Sequence, residues 1–424
     1  SGDLCSRYGY LCRPWVLHAE ILRRRTSPQT MLQALARCPA VVQSEEIELE
    51  LSIAELDLGQ PREALRRLEK LHLLRATMKA LNSRALCLYL LERIEACEST
   101  LRQSLRRHPH NPDAWNQLAI LARERGEYWR ALRYLRTALR QNPNHAPAHY
   151  NLSQLHHYNP RSRHLKELDH QLERDDLPTQ DRINLLYALA KARDNCNQHD
   201  ASLGLYLSAS RLKLSSLENF NLQDHVQFLL NRDHAFSDYI GKQQQVVTTT
   251  TQSNNRQRPI PIFIVGLPRS GSTLAEQILS STPTCHNLGE SKLFSEALES
   301  ANIPLHTPPE QELDETQLSQ ARDFYFSNLP NEALAAQWIT DKMLYNYSYI
   351  ELIRSIFPES RIIAMQRQPL DMFLSMLKCN FSEGNLWTYS LDSMLDIYDS
   401  YQKLISIASQ QRPQNKSLKQ RFAN

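Results

Sequence analysis

Through residues 1 to about 240, apolar positions recur at intervals of three and four, the spacing of one buried helical face. This predicts a run of consecutive helices. The sharpest stretch is Asn111 to Pro143. There Ala114, Leu118 and Ala119 share one helix, Gly126 ends it, and Ala131, Leu135 and Ala138 share a second that stops before Pro143. From Gly241 to Arg258 the periodicity vanishes. The segment GKQQQVVTTTTQSNNRQR is polar and low in complexity, and predicts a linker over 241–258. At Pro259 the pattern changes again. Ile260 to Val265 is a short apolar run rich in β-branched residues, which suits a buried parallel strand, and Leu274 to Ser281 has helical spacing. Arg361 to Met365 reads as a second buried strand, Leu370 to Asn380 as a helix, and Ser390 to Ser409 as the last clear helix.

The first region repeats itself. At a step of about 34 residues, Pro143 maps to Pro109, Leu135 to Leu101, Ala131 to Cys97 and Ala119 to Ala85. An earlier copy holds Gly59, Ala64 and Leu68, and a later one Ala148 and Leu152. Residues 181 to 214 form a weaker copy with Leu189, Ala190, Ala201 and Leu205. This pattern resembles the tetratricopeptide repeat (TPR), a helix-turn-helix unit that stacks into an α-solenoid. Five or six helical pairs are expected. The resemblance implies a concave face that binds peptide or protein partners, with Asn116, Asn151 and the Arg/His-rich surface as candidates to line it.

Composition sharpens this picture. Ten glycines in 424 residues are about 2.4%, against an average near 7%. Few glycines mean few tight turns, so helix is expected to dominate, and the cluster of Gly266, Gly271 and Gly289 stands out. Basic and acidic residues number 49 and 46, a balance of +3 that does not argue for a nucleic-acid binder. No apolar run approaches the roughly 18 residues of a membrane span. The eight cysteines form no CxxC pair and have no histidines at zinc-finger spacing, which suits reduced thiols; no metal-ligand cluster is apparent. No targeting segment is visible, so a cytoplasmic site is the default expectation. The first residue is Ser1, and a preceding segment stays open.

The candidate chemistry starts after the Ile260–Val265 run. Gly266-Leu-Pro-Arg-Ser-Gly-Ser-Thr273 joins the predicted strand to the predicted helix, so loop amides and a helix N-terminus would point at an anion. The spacing nearly matches the nucleotide triphosphatase loop, but Ser272 stands where that loop has its lysine. A kinase or hydrolase is therefore disfavoured, and Arg269 supplies the positive charge instead.

GLPRSGST resembles the 5′-phosphosulfate loop of sulfotransferases that use 3′-phosphoadenosine 5′-phosphosulfate (PAPS). Helical repeats followed by such a domain resemble the TPR-sulfotransferases, and the arginine in the loop is similar to that of tyrosylprotein sulfotransferases. The resemblance implies an N-terminal TPR α-solenoid (1–240), then a three-layer α/β, P-loop-like sulfotransferase domain with a parallel sheet (259–424). It implies PAPS as donor substrate, without a metal, and a hydroxyl-bearing acceptor. Arg269, Ser270, Gly271, Ser272 and Thr273 would hold the phosphosulfate, and Arg367 with Ser375, eight residues on, the 3′-phosphate. Glu290, in the Gly289-Glu290 pair, would be the general base, with His286 as competitor. Lys342, in Asp341-Lys342, would approach the bridging oxygen.

The second region is shorter than family domains usually are, and Gln410 to Asn424 is polar, basic and aperiodic. It reads as a frayed tail, so the expected domain is incomplete at its C-terminus. The alternative reading is therefore a TPR interaction scaffold carrying an incomplete, inactive transferase domain.

Overall fold

The computed structural model describes residue 15 and residues 28–35, 45–71, 77–217, 220–242, 258–310, 313–381 and 384–410. Most of the expected linker (243–257) and nearly all of the expected tail (411–424) lie outside the described residues. The chain divides into two compact units, Ser1–Asn219 and Phe220–Asn424.

Among the described residues the first unit is helical. After α1 (Pro28–Leu35) come five successive pairs: α2 (Glu45–Asp57) with α3 (Pro61–Leu68), α4 (Met78–Leu90) with α5 (Ile94–Arg107), α6 (Pro112–Glu124) with α7 (Tyr128–Gln141), α8 (Ala146–Leu155) with α9 (Arg163–Leu172), and α10 (Thr179–Asn195) with α11 (His199–Ser215). The α6–α7 pair shows why the pattern folds this way. Pro112 takes the first helical position, where a missing N–H costs nothing, and the Asn111 side chain accepts from the Ala114 amide at 3.2 Å. Gly126 adopts φ 75° and lets the chain reverse into α7. Ala119, Ala122, Ala131, Leu135 and Ala138 then merge into one buried cluster with Ala148 and Leu152 of α8, so each pair covers the apolar face of the next.

The weakest predicted copy is off register. On α11 the inward positions belong to Ser202 and Tyr206, while Ala201 is exposed and Leu205 half-buried. The Ser202 hydroxyl donates to the Ala190 carbonyl at 2.8 Å, a bond that alanine could not make. Asn151 donates its side-chain amide to Asn116 at 2.9 Å, so these two candidates for partner contacts engage each other.

A directed chain of bonds ties α8 to α9. The Pro143 carbonyl can only accept, so His149 donates to it through Nε2–H at 2.8 Å. Its Nδ1 must then accept from His164 Nε2–H at 2.8 Å, and His164 Nδ1 accepts from the Tyr158 hydroxyl at 2.6 Å. Every link is satisfied with both rings neutral. Burial pushes His164 down to about 3 and His149 below its ordinary value. In the unfolded chain both titrate near the usual 6.5, so below that pH the unfolded chain binds more protons and stability falls. His164 alone is expected to remove about 2 kcal/mol between pH 7 and pH 5. Thermal unfolding followed by the helical signal checks this on the intact chain and on His164→Asn. An equal loss on acidification in both proteins would sink it.

The second unit begins with α12 (Leu222–Lys242), which the sequence pattern assigns to the helical array. Its packing differs: α12 lies along α19 (Leu391–Gln410), and Phe236 meets the Tyr349 ring edge-on at 5.2 Å. At its centre Asp233, fully buried, accepts from the Tyr347 hydroxyl at 2.7 Å, the Ser348 hydroxyl at 2.8 Å and Arg232 at 2.8 Å. The unit boundary accordingly falls at 219/220 and not at 240.

The rest alternates strands and helices: β1 (Ile260–Val265), α13 (Ser272–Ser280), β2 (Cys285–Asn287), α14 (Leu293–Ser300), α15 (Glu315–Ser327), α16 (Asn331–Leu334), β3 (Trp338–Asp341), α17 (Ile350–Ile356), β4 (Arg361–Ala364) and α18 (Pro369–Leu377) before α19. The four strands are parallel in the order β2-β3-β1-β4. β1 is central and its last five residues are buried. Pro261 is tolerated there because pairing with β4 starts only at Ile262. Phe263 packs among Phe294, Tyr325 and Phe357, with ring centroids 5.5, 6.2 and 5.7 Å away. The predicted second strand forms, but it is not buried. Arg361–Ala364 is an edge, with Arg361 exposed and the rest half-buried, because among the described residues no strand lies beyond it.

Candidate active site

Parallel strands deliver all their outgoing loops to one edge of a sheet. The loops after β1 (266–271), β2 (288–292), β3 (342–343) and β4 (365–368) therefore emerge together. The chain leaves β1 toward β3 and β2, then returns past β1 to β4, so the order reverses between β1 and β4. Such a reversal opens a crevice at the carboxyl ends of the strands.

The Gly266–Thr273 loop fills that crevice. A side chain at Gly266 would place its Cβ 3.0 Å from Met365 Cβ, so only glycine fits this approach of the two loops. Gly271 takes φ 95° and opens α13 with no side-chain cap, which leaves the first-turn amides without a partner from that residue. Arg269, exposed, holds φ 65°, a left-handed conformation that is costly for a residue with a side chain. Its Nε donates to Ser375 Oγ at 3.0 Å, and its carbonyl accepts from Arg367 Nη1 at 3.1 Å. Arg269, expected at the 5′-phosphosulfate, thus contacts both residues expected at the 3′-phosphate. Ser270 is buried, and its hydroxyl has no hydrogen-bond partner. Ser272 is buried at the start of α13, and Thr273 is exposed beside it.

A second constellation joins α13 to the loops after β2 and β3. Lys342, 6% exposed, donates from Nζ to Glu290 Oε1 at 3.0 Å and lies 3.8 Å from Glu276 Oε2. Glu290 itself is largely exposed. Glu276 is buried and accepts from the Gly289 amide at 3.2 Å and the Thr340 hydroxyl at 3.1 Å. The Lys342 amide donates to the Gly289 carbonyl at 2.9 Å. Glu276 therefore clamps the backbone that presents Glu290. Sequence reasoning missed this residue, although one signal was present: Ser272 and Glu276 are four apart and share the inward face of α13. His286, the competing base, sits inside β2 opposite Ile339, short of the strand's carboxyl end.

Asp341, next to Lys342, is fully buried and accepts from the Tyr325 hydroxyl at 3.0 Å and the Met343 amide at 3.3 Å. Burial pushes its carboxyl up to about 7, against the pull of those two donors. Among the described residues no three His, Cys, Asp or Glu side chains gather as a metal site, and no helix is long and apolar enough to cross a membrane.

Comparison with known proteins places these features. Residues 261–422 match a family model described as the sulfotransferase family, and residues 100–133 one described as a tetratricopeptide repeat. An uncharacterized protein of Aquifex aeolicus (strain VF5) is 25% identical over 307 residues; the match covers 69% of this chain and 38% of that protein's length. Among solved structures, pilF of Pseudomonas aeruginosa is 17% identical, with 49% of this chain and 93% of that chain covered at a TM-score of 0.35. YrrB, described as a TPR protein, is 16% identical, with 48% and 95% covered at a TM-score of 0.30. The chain thus joins helical repeats, with a tetratricopeptide-repeat match at 100–133, to a region at 261–422 that matches the sulfotransferase family.

Proposed function

We propose that the second unit transfers a sulfuryl group from PAPS to an acceptor hydroxyl, and that the helical array recruits the acceptor or a partner protein. The observation that carries this reading is the contact of Arg269 with both Ser375 and Arg367 at the reversal of the strand order. It joins the loop after β1 to the β4–α18 segment, two parts of the chain that in this family hold opposite ends of one donor. The unpartnered Ser270 hydroxyl and the uncapped start of α13 supply further donors for an anion.

Arg269, Ser270 and the amides of Gly271 to Thr273 would hold the 5′-phosphosulfate, and Arg367 with Ser375 the 3′-phosphate. The donor supplies an activated sulfuryl group on a phosphate leaving group. Guanidinium groups suit such anions because they offer several N–H donors in one plane. Glu290 takes the proton from the acceptor hydroxyl as general base. Lys342 fixes the orientation of that carboxylate, and Glu276 fixes both through Gly289. Arg269 and the loop amides stabilise charge as it develops on the transferred group.

The test is transfer from labelled PAPS to a tyrosine peptide, a polysaccharide and a small phenol, with calorimetry of adenosine 3′,5′-bisphosphate beside magnesium-ATP. Bisphosphate binding in the micromolar range is expected, with no comparable ATP binding. Glu290→Gln is expected to lower the transfer rate by about 100-fold or more and to leave bisphosphate affinity within twofold. A folded sample that binds no bisphosphate would overturn the reading and leave a repeat scaffold with an inactive transferase domain.

A further inference from the structure

The first unit carries a cleft built from none of the residues assigned to sulfuryl transfer. It has a volume of about 1110 Å³ and lies between α7 and α9, with α8 as its floor. These walls are the second helices of two successive pairs. The Asn116–Asn151 contact joins the first helices, α6 and α8, so the cleft is a separate feature of the array.

The α7 wall is unusual chemically. Trp129, Arg133, Arg136 and Arg140 recur at steps of four, three and four, which sets them in one stripe along the helix. The sequence of α7, YWRALRYLRTALRQ, contains no carboxylate to balance its arginines. Among the described residues, Arg133 and Arg136 form no ion pair, and both are exposed. From α9, Arg163 faces the same cleft; its partner Glu167, at 2.9 Å, is the one carboxylate in the lining. Trp129 is 84% exposed, a large apolar surface left open to solvent at the end of the stripe. Leu132, Leu139 and Leu152 add apolar surface to the lining, and four histidines and Gln171 complete it toward α8 and α9.

We propose that this cleft between α7 and α9 binds an acidic peptide segment that carries a large apolar side chain. The arginine stripe needs anions spaced along a line, and carboxylates on an extended chain provide them. Trp129 and the leucines need an apolar group, which aromatic and arginine-rich protein interfaces supply. From Trp129 to Arg140 the stripe runs about 16 Å at 1.5 Å per residue, the length of about five extended residues. A nucleic acid fits less well. A sugar-phosphate backbone gains nothing from the leucines of the lining.

The probe is an array of fluorescent acidic octapeptides of Asp and Glu in which one Leu, Phe or Trp moves through the positions. Anisotropy is read with the full chain at low and at physiological salt. At least one peptide is expected to bind at micromolar concentration, and its Asn/Gln counterpart at least tenfold more weakly. Arg133→Glu combined with Arg136→Glu is expected to lose at least tenfold. Trp129→Ala is expected to lose several-fold, and both variants should keep the helical circular dichroism of the parent. Arg269→Ala is expected to bind the peptide as the parent does, which separates this cleft from the proposed donor site. Absence of binding by every peptide would overturn the proposal. So would unchanged binding in the charge-reversed variant, or tighter binding of a single-stranded oligonucleotide of equal charge.

Discussion

Arg269→Ala is expected to weaken adenosine 3′,5′-bisphosphate binding by about 100-fold, close to 3 kcal/mol for a lost charged donor. The size of the effect follows from three roles at one residue. The guanidinium is the cation of the loop after β1, its Nε holds Ser375, and its carbonyl holds Arg367. Removing the side chain releases Ser375 and leaves Arg367 with its backbone anchor alone. The backbone adds a second readout. Arg269 sits at φ 65°, which costs a residue with a Cβ about 1 kcal/mol. Arg269→Gly relieves that strain and Arg269→Ala does not. The glycine variant is therefore expected to unfold at higher denaturant than the alanine variant while binding no better. Calorimetry and denaturant unfolding of the two variants test both parts. Full affinity in either variant would remove Arg269 from the donor site.

Asp233→Ala is expected to destabilise the second unit by about 3–5 kcal/mol, the cost of leaving a buried charge without its partner. Asp233 is fully buried and serves three donors, and Arg232 is 8% exposed. Without the carboxylate, Arg232 loses its counter-charge, and the Tyr347 and Ser348 hydroxyls lose their acceptor. The loss acts where α12 is fastened to the segment after β3, so α12 is expected to detach with it. Trp387, fully buried in the same unit and donating to the Tyr345 hydroxyl at 3.1 Å, reports the change through its fluorescence. An unfolding midpoint equal to that of the parent would show that α12 is not held through Asp233.

Both effects bear on where the molecule's boundaries lie. A chain cut at the end of the polar linker would keep every motif of the transferase domain and lose Asp233. Such a protein is missing the acceptor for two buried hydroxyls, although no residue of the candidate site has been touched.

The helical pairs were legible in the sequence because their determinants are local. An N-cap at Asn111, a reversal at Gly126 and small residues one turn apart all act within a few positions. The same holds for β1, its glycine-bounded loop and α13, where strand propensity, a left-handed Gly271 and a helix start follow in order. Arg269, and separately the pair Arg367 and Ser375, were legible as candidates through resemblance to a family, and their contact with each other was not. Four features were decided by tertiary structure. α12 has the periodicity of any amphipathic helix, and its place was set by hydroxyls 114 and 115 residues away on Tyr347 and Ser348. The inward register of α11 was set by the Ala190 carbonyl waiting for Ser202. The exposure of β4 follows from its position at the end of the strand order, which an apolar run does not encode. Glu276 became a clamp only when Gly289, Thr340 and Lys342 closed around it. The common reason is range. Turns, caps and periodicity are energies of neighbouring residues, readable in order along the chain. A buried charge or an edge is fixed by partners that only folding brings within hydrogen-bond distance.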